Sequence, residues 1–335
     1  MEYQENLSKI YQTIERHHSF IIISHVFPDG DCLGSSTALY KLLRNLGKKA
    51  TLIIQGEIPY QYKFLPAVEK IKKEYTNEDK EEVVLLFLDC ADMDRAQFDI
   101  STVKPKIKSM INIDHHRNNP DFGDINLVDY KKSATAEMIF DLLYKYYRKQ
   151  IDDDIAISLY TGMLTDTGRF QYSSTTKEVH KAISFLLNFD VQPSKIASFI
   201  YECEPRNRFK LLESALRRIK IIDSKSLIYS YVLKKDFETL ALPFSANDGI
   251  IEMLRSVEGI DIAALFKQVK KGHYKVSLRS TDNHVDVSRI AQVFGGGGHK
   301  KAAAYSCTGS LKENIKKLEN EIGKTLEDDG KNKQK

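Results

Sequence analysis

Cysteine is scarce: four residues in 335, Cys32, Cys90, Cys203 and Cys307, with no C-x-x-C pair among them. Thiolate sites for structural zinc are therefore absent, and a reducing, cytoplasmic compartment is the expectation. Long apolar runs are missing too. No stretch reaches the roughly 18 residues of a membrane span, so no membrane association is expected. The first 18 residues are polar and helix-like, without the apolar centre of a signal peptide. Nor does one sign of charge dominate, because 50 Lys and Arg against 46 Asp and Glu leave a net charge of only +4. A tight binder of long nucleic acid is thereby disfavoured, and any polyanion contact should be local.

What the chain does contain is enough apolar material, 42% of its residues, for two packed domains. Residues 19–24 (SFIIIS), 50–54 (ATLII), 83–89 (VVLLFLD) and 110–114 (MINID) are short, nearly continuous apolar runs. Such runs predict strands buried on both faces, as in parallel sheets. Between the first two, residues 32–46 carry Leu39, Leu42, Leu43 and Leu46 at helical spacing before Gly47, which makes a βαβ unit. Further helices are expected from near Ser133 and from residues 152–154 into Asp166. The fold class is therefore α/β: a parallel-sheet catalytic domain over 1–187, a charged helical connector over 188–220, and a smaller α/β domain over 221–328, with an active-site cleft expected between the two domains. In the second domain, strands are expected at 226–232, 262–266 and 274–278 and a helix over 248–255, ahead of a glycine run at 295–298.

The chemistry concentrates at strand ends. His25-Val26-Phe27-Pro28-Asp29-Gly30-Asp31 follows the first buried strand directly, at the carboxyl end where open α/β sheets place ligands. Pro28 and Gly30 shape a tight turn that lets His25, Asp29 and Asp31 converge, although taken alone the segment is equally a polar turn with a helix N-cap. Asp89 ends a second buried strand, Asp114-His115-His116 ends a third, and Asp166 ends a helix able to return to the same edge. Carboxylates crowded together repel and resist desolvation, so a cation cluster is the natural explanation. Oxygen ligands mixed with imidazoles favour Mn²⁺, with Mg²⁺, Fe²⁺ or Co²⁺ as alternatives. Two such ions can activate a water for in-line attack at phosphorus. Cys32 and Cys90, beside the ligands, read as small buried fillers rather than nucleophiles.

With these residues in place, the sequence resembles the DHH phosphoesterases, whose Asp-His-His stands here as Asp114, His115 and His116. Their His-x-x-x-Asp-x-Asp corresponds to His25, Asp29 and Asp31, their strand-end aspartate to Asp89, and their late Thr-Asp to Thr165 and Asp166. The resemblance implies one ion held by His25, Asp29 and Asp89 and a second by Asp31, Asp89, His115 and Asp166, with Asp89 bridging. It also implies that His116 contacts the phosphate or leaving oxygen, that Asp114 orients its neighbours, and that Asn119 belongs with the substrate-binding residues.

Arg279-Ser280 and Gly295-Gly296-Gly297-Gly298-His299 are similar to the DHH-associated carboxyl-terminal domain of small nucleotide phosphodiesterases. There Gly296, Gly297 and Gly298 would form an anion nest, and Arg279 and His299 would hold a terminal phosphate or base. One departure is Ala304, where many relatives have glycine. The activity implied is Mn²⁺-dependent hydrolysis of short RNA or linear dinucleotides such as pApA, and of 3′-phosphoadenosine 5′-phosphate. Cyclic di-AMP phosphodiesterase activity and a non-catalytic nucleotide-binding regulator are the alternatives. A homodimer is left open.

Overall fold

The computed structural model describes residues 2–75, 82–103, 106–281 and 285–332. They form two compact units, Met1–Cys203 and Glu204–Lys335. The first contains α1 (Glu2–Arg16), β1 (Ser19–Ile23), α2 (Gly30–Asn45), β2 (Lys49–Ile53), β3 (Ile71–Lys72), β4 (Val83–Leu88), β5 (Ile107–Asp114), β6 (Ile125–Val128), α3 (Thr135–Tyr146), α4 (Asp153–Asp166), α5 (Lys177–Leu186) and α6 (Pro193–Tyr201). The segment expected as a connector is divided: α6 belongs to the first unit, and the helix after it to the second.

The first sheet has the order β3-β2-β1-β4-β5-β6, with every pairing parallel. From β1 the chain builds outward through β2 and β3, then returns to place β4 on the other flank of β1. The gap between β1 and β4 is therefore a topological switch point, where connections leave in opposite directions and a crevice opens at the strands' carboxyl ends. Both central strands are buried along their whole length, which is why they read as unbroken apolar runs rather than alternating ones. Their faces feed two cores, one under α1–α6 and one on the opposite side around Ile21, Ile23, Leu85 and Phe87.

The helix α2 is almost wholly buried and crosses α4 closely. Glycines allow that approach. A Cβ on Gly34 would lie 2.4 Å from the Ser158 carbonyl oxygen, and one on Gly162 would lie 2.5 Å from the Ala136 Cβ. The contact brings the start of α2, the start of α3 and the end of α4 together over the switch point.

The second unit contains α7 (Arg206–Arg217), β7 (Lys220–Ile222), β8 (Leu227–Val232), α8 (Lys234–Leu240), α9 (Ile250–Arg255), β9 (Ile262–Lys270), β10 (His273–Ser280), α10 (Val287–Val293), β11 (Gly297–His299), β12 (Ala302–Thr308) and α11 (Leu311–Asn332). Its sheet runs β11-β12-β10-β9-β8-β7, antiparallel except for the β8–β9 pair. Part of the glycine run is an edge strand: Gly297, Gly298 and His299 pair with Ala304, Ala303 and Ala302. A side chain at Gly296 or Gly298 would strike the β12 backbone, 2.2 Å from the Ala304 carbonyl oxygen in the first case and 2.5 Å from the Ala302 carbonyl oxygen in the second. Ala304 sits in regular strand opposite Gly297, so alanine fits there without backbone strain.

Gly34→Ala should cost about 1–3 kcal/mol, because the new methyl meets backbone that cannot rotate away. Urea unfolding of the variant against the parent checks this, and an unchanged midpoint would show that α2 and α4 do not cross so tightly.

Candidate metal centre

Strand register builds the first row of the site. Ile23 pairs with Phe87 and Leu88 with Ile113, so the residues just beyond, His25, Asp89 and Asp114, arrive side by side at the strand ends. The Ser24 hydroxyl ties the two central strands by donating to the Leu88 carbonyl at 2.6 Å. His25 Nε2 then lies 3.3 Å from Asp89 Oδ2. Asp89 has φ +57°, a left-handed conformation uncommon outside glycine, which redirects its side chain at the point where β4 ends.

The second row comes from helices. Asp29 caps α2, its Oδ1 accepting from the amides of Asp31 and Cys32 at 3.1 and 3.0 Å, so the bland expectation of an N-cap is realised at the same residue. Asp31 is fully buried in the first turn of α2, and its two oxygens accept from Thr135 N at 2.6 Å and Ala136 N at 2.8 Å. His115 Nε2 faces three carboxylates, at 3.2 Å from Asp166, 3.6 Å from Asp89 and 3.8 Å from Asp31. Donor atoms within 4.8 Å of one another therefore fall into three overlapping groups able to hold a metal: His25, Asp29 and Asp89; Asp31, His115 and Asp166; and Asp89, His115 and His116.

Electrostatics show what such a crowd needs. Burial, with the neighbouring carboxylates added, pushes Asp89 well above the usual carboxylate range, Asp31 up to about 6 and Asp166 up to about 8. Among the described residues, the ion-pair partners of these three acids are imidazoles, with no lysine or arginine. Burial lowers His25, and its Nδ1 is a buried atom without a hydrogen-bond partner. Burial also disfavours charge on His115, yet Asp31, Asp166 and Asp114 together hold its pKa above the ordinary value. Hard oxygen donors with imidazoles and no compensating cation side chain fit a divalent metal.

Asp114 is fully buried but behaves differently. Burial would raise it, and hydrogen bonds from His116 and Asn119 outweigh that and hold it below the ordinary value. His116 Nδ1 donates to Asp114 Oδ1 at 2.7 Å, which fixes the ring and leaves Nε2 as its free nitrogen. Asn119, expected at the substrate, is turned inward: its amide nitrogen donates to Asp114 Oδ2 and Asn112 Oδ1, each at 2.7 Å, and its Oδ1 accepts from Asp121 N. Cys32 and Cys90 are buried with their thiols pushed up by desolvation, as fillers rather than nucleophiles.

In the second unit, Ala302 pairs with Arg279 on one side and with His299 on the other. Residues paired in this way share a sheet face, so Arg279 and His299 flank a small alanine two strands apart, about 10 Å by ordinary strand spacing. Ser277, Ala304 and Gly297 form the next row, equally small. Arg279 is held by Glu252 of α9, whose Oε1 lies 3.0 Å from both Nε and Nη2. The motif reading did not anticipate this acidic partner. It also missed Thr135 and Ala136, whose amides bind a carboxylate more than a hundred positions earlier in the chain.

A parallel sheet with acids and imidazoles gathered at its switch point makes a site that could hold a divalent metal, and the family and relatives make the chain a phosphoester hydrolase. The chain belongs to the DHH family: residues 19–163 match the DHH family, N-terminal domain, and residues 224–328 the DHHA1 domain. It is similar to the bifunctional oligoribonuclease and PAP phosphatase NrnA of Thermus thermophilus, at 33% identity over 86% of this chain and 84% of that protein. A protein of the same name from Bacillus subtilis is 24% identical over 89% of this chain and 92% of its own length. Among solved structures, an exopolyphosphatase-related protein from Bacteroides fragilis superposes with a TM-score of 0.88 at 27% identity, covering 96% of each chain. No helix among the described residues is long and apolar enough to cross a membrane.

Asp31, Asp166 and His115, all raised on folding, bind more protons in the metal-free folded chain than in the unfolded one, and for the two acids that window runs from about pH 4 to about pH 8. Stability of the metal-free protein should therefore fall as pH rises through the window. His25, lowered by burial, opposes this only near and below its ordinary value of 6.5. A bound divalent ion removes the penalty on the carboxylates, so Mn²⁺ should raise Tm more at pH 8 than at pH 5.5. Differential scanning calorimetry with and without Mn²⁺ at both pH values checks the sign, and an equal or reversed increment would refute the electrostatic account.

Proposed function

We propose that this chain is a Mn²⁺-dependent phosphodiesterase that cleaves very short oligoribonucleotides or linear dinucleotides such as pApA to 5′-mononucleotides, and that it also dephosphorylates 3′-phosphoadenosine 5′-phosphate. The observation that carries the reading is the convergence of Asp31, Asp89 and Asp166 on the His25 and His115 imidazoles, with no lysine or arginine paired to them among the described residues. The relatives named oligoribonuclease and PAP phosphatase support the choice of substrates.

In this reading His25, Asp29 and Asp89 would hold one ion and Asp31, Asp89, His115 and Asp166 would hold the other, so Asp89 would serve both. Mg²⁺ or Co²⁺ can take the place of Mn²⁺. When bound there, divalent ions would supply an acidified water and neutralise phosphoryl oxygens. The protein's own groups do the rest. The α3 amides aim Asp31, the left-handed backbone at Asp89 aims its carboxylate, and Asp114, accepting from His116 Nδ1, orients the ring so that Nε2, when it carries a proton, can donate to an oxygen. His116 Nε2 is thereby placed to contact the phosphate or the leaving oxygen. Asn119 serves this arrangement from behind, through Asp114. Arg279, Gly296, Gly297, Gly298 and His299 form the substrate-binding set, in which a substrate phosphate exchanges with Glu252 for the Arg279 guanidinium.

Three variants test the assignment. Asp89→Ala should abolish turnover of pApA with Mn²⁺ more completely than any other single ligand change, and near-normal rates would sink the bridging role. His116→Ala should keep metal binding while kcat falls by about 10²–10⁴-fold, the range of a general acid–base group. Metal content reduced to that of an Asp31→Ala protein would contradict it. Arg279→Ala should lose about 1.5–3 kcal/mol in kcat/KM on pApA, the value of a charged hydrogen bond, and leave bis-p-nitrophenyl phosphate untouched. Equal loss on both substrates would remove Arg279 from substrate binding. Cyclic di-AMP and a twenty-mer RNA complete the panel, and preference for either would replace the short linear substrate.

A further inference from the structure

One turn of chain, residues 132–136 at the start of α3, touches three of the residues assigned to the metal centre. Its amides at Thr135 and Ala136 hold both oxygens of Asp31. The Thr135 hydroxyl donates to Asp89 Oδ1 at 3.2 Å. The Lys132 carbonyl accepts a hydrogen bond from the His115 ring, whose Nε2 faces the carboxylates. No other short segment described above reaches so many of these residues, and none of its own side chains except Thr135 is among the groups that touch them.

The turn has its own anchor. Glu137 is a buried acid, 2% exposed, and its two oxygens are divided between backbone and cation. Its Oε2 accepts from both the amide and the hydroxyl of Ser133 at 2.8 Å, while its Oε1 pairs with Lys132 Nζ at 2.8 Å. Lys132 Nζ continues to Asp141 Oδ2 at 2.7 Å, and the same oxygen accepts from the Tyr3 hydroxyl of α1 at 2.8 Å. Glu137 thus binds the turn from inside α3, and Lys132 carries the connection to α1. A buried carboxylate with every oxygen engaged by a single turn is strongly placed, and it transmits that placement to whatever the turn holds.

We propose that Glu137 is a positioning residue for the metal centre, fixing through residues 132–136 the directions in which Asp31, Asp89 and His115 present their donor atoms. The inference rests on the reading of that cluster as a metal centre. Glu137 itself touches neither ion nor substrate, so its removal should weaken metal binding without changing substrate recognition. Glu137→Gln keeps the volume and one acceptor for Ser133 but turns an amide NH₂ toward Lys132. Lys132→Met removes the cation and leaves the Lys132 carbonyl in place.

The test titrates metal-stripped full-length protein with Mn²⁺, reading free ion by electron paramagnetic resonance, and follows pApA hydrolysis against Mn²⁺ concentration. Both variants should raise the Mn²⁺ dissociation constant about 10–100-fold, the usual effect of losing a group that orients a metal ligand. KM for pApA at saturating Mn²⁺ should stay at the wild-type value, and kcat should recover as Mn²⁺ is raised. General unfolding would not be rescued by metal in that way. Circular dichroism checks each variant, and should Glu137→Gln fail to fold, Lys132→Met decides. Wild-type affinity in the folded variants overturns the proposal while leaving the metal centre intact, as does loss of kcat with metal binding unchanged. Absence of Mn²⁺ binding in the wild-type protein would overturn the metal-centre reading and this inference with it.

Discussion

Asp31 and Asp89 are withdrawn from water within reach of each other, with Asp166 at their edge, and the rest of the first unit is arranged around that constraint. Carboxylates in such a setting either take up protons or require positive charge close by. The fold offers imidazoles from two strand ends, two helix amides for Asp31 and no lysine or arginine among the described ion-pair partners. That leaves the charge uncompensated by the protein alone. A divalent ion would meet that deficit, and it would suit the family's phosphoester hydrolysis, since such ions neutralise the oxygens that gain charge during attack at phosphorus.

Topology decides where the deficit falls. A sheet ordered β3-β2-β1-β4-β5-β6 opens between β1 and β4, so the loops after those strands diverge and leave room above their carboxyl ends. His25 and Asp89 are the residues that emerge there. The close passage of α2 over α4, made possible by Gly34 and Gly162, then brings Asp31 and Asp166 to the same place from the other side. Asp114 sits behind, fully buried, and its low pKa is set by two donors rather than by an ion. The site thus contains two kinds of acid: those that need a cation, and one already satisfied by hydrogen bonds.

The second unit follows a different logic. Its glycines at 296 and 298 exist because the β12 backbone passes within contact distance, and the edge strand they form sets His299 in line with Arg279 across Ala302. The pairing of Arg279 with Glu252 keeps the guanidinium oriented. The end of the glycine run is here a strand, because residues 297–299 pair with residues 302–304 of β12.

Much of this was legible in the residues. The buried parallel strands were visible because strands covered on both faces need unbroken apolar runs, and β1, β2, β4 and β5 appear within a few residues of their expected bounds. Acids and histidines directly after such runs had to lie at one sheet edge, since parallel strands all end on the same side. Short or weakly patterned strands, β3, β6, β7 and β12, were not legible, because their pairing is decided by neighbours distant in sequence. The same holds for the grip of Thr135 and Ala136 on Asp31, the inward turn of Asn119 and the hold of Glu252 on Arg279. Each joins residues separated by a helix or a strand, or depends on which way a side chain turns in a packed interior. The sequence by itself determined which chemistry the chain carries and at which end of the sheet, because residue type and strand direction are local properties. Only the tertiary structure decided how each donor is aimed, because aim is set by hydrogen bonds and close packing between segments that meet only when the chain is folded.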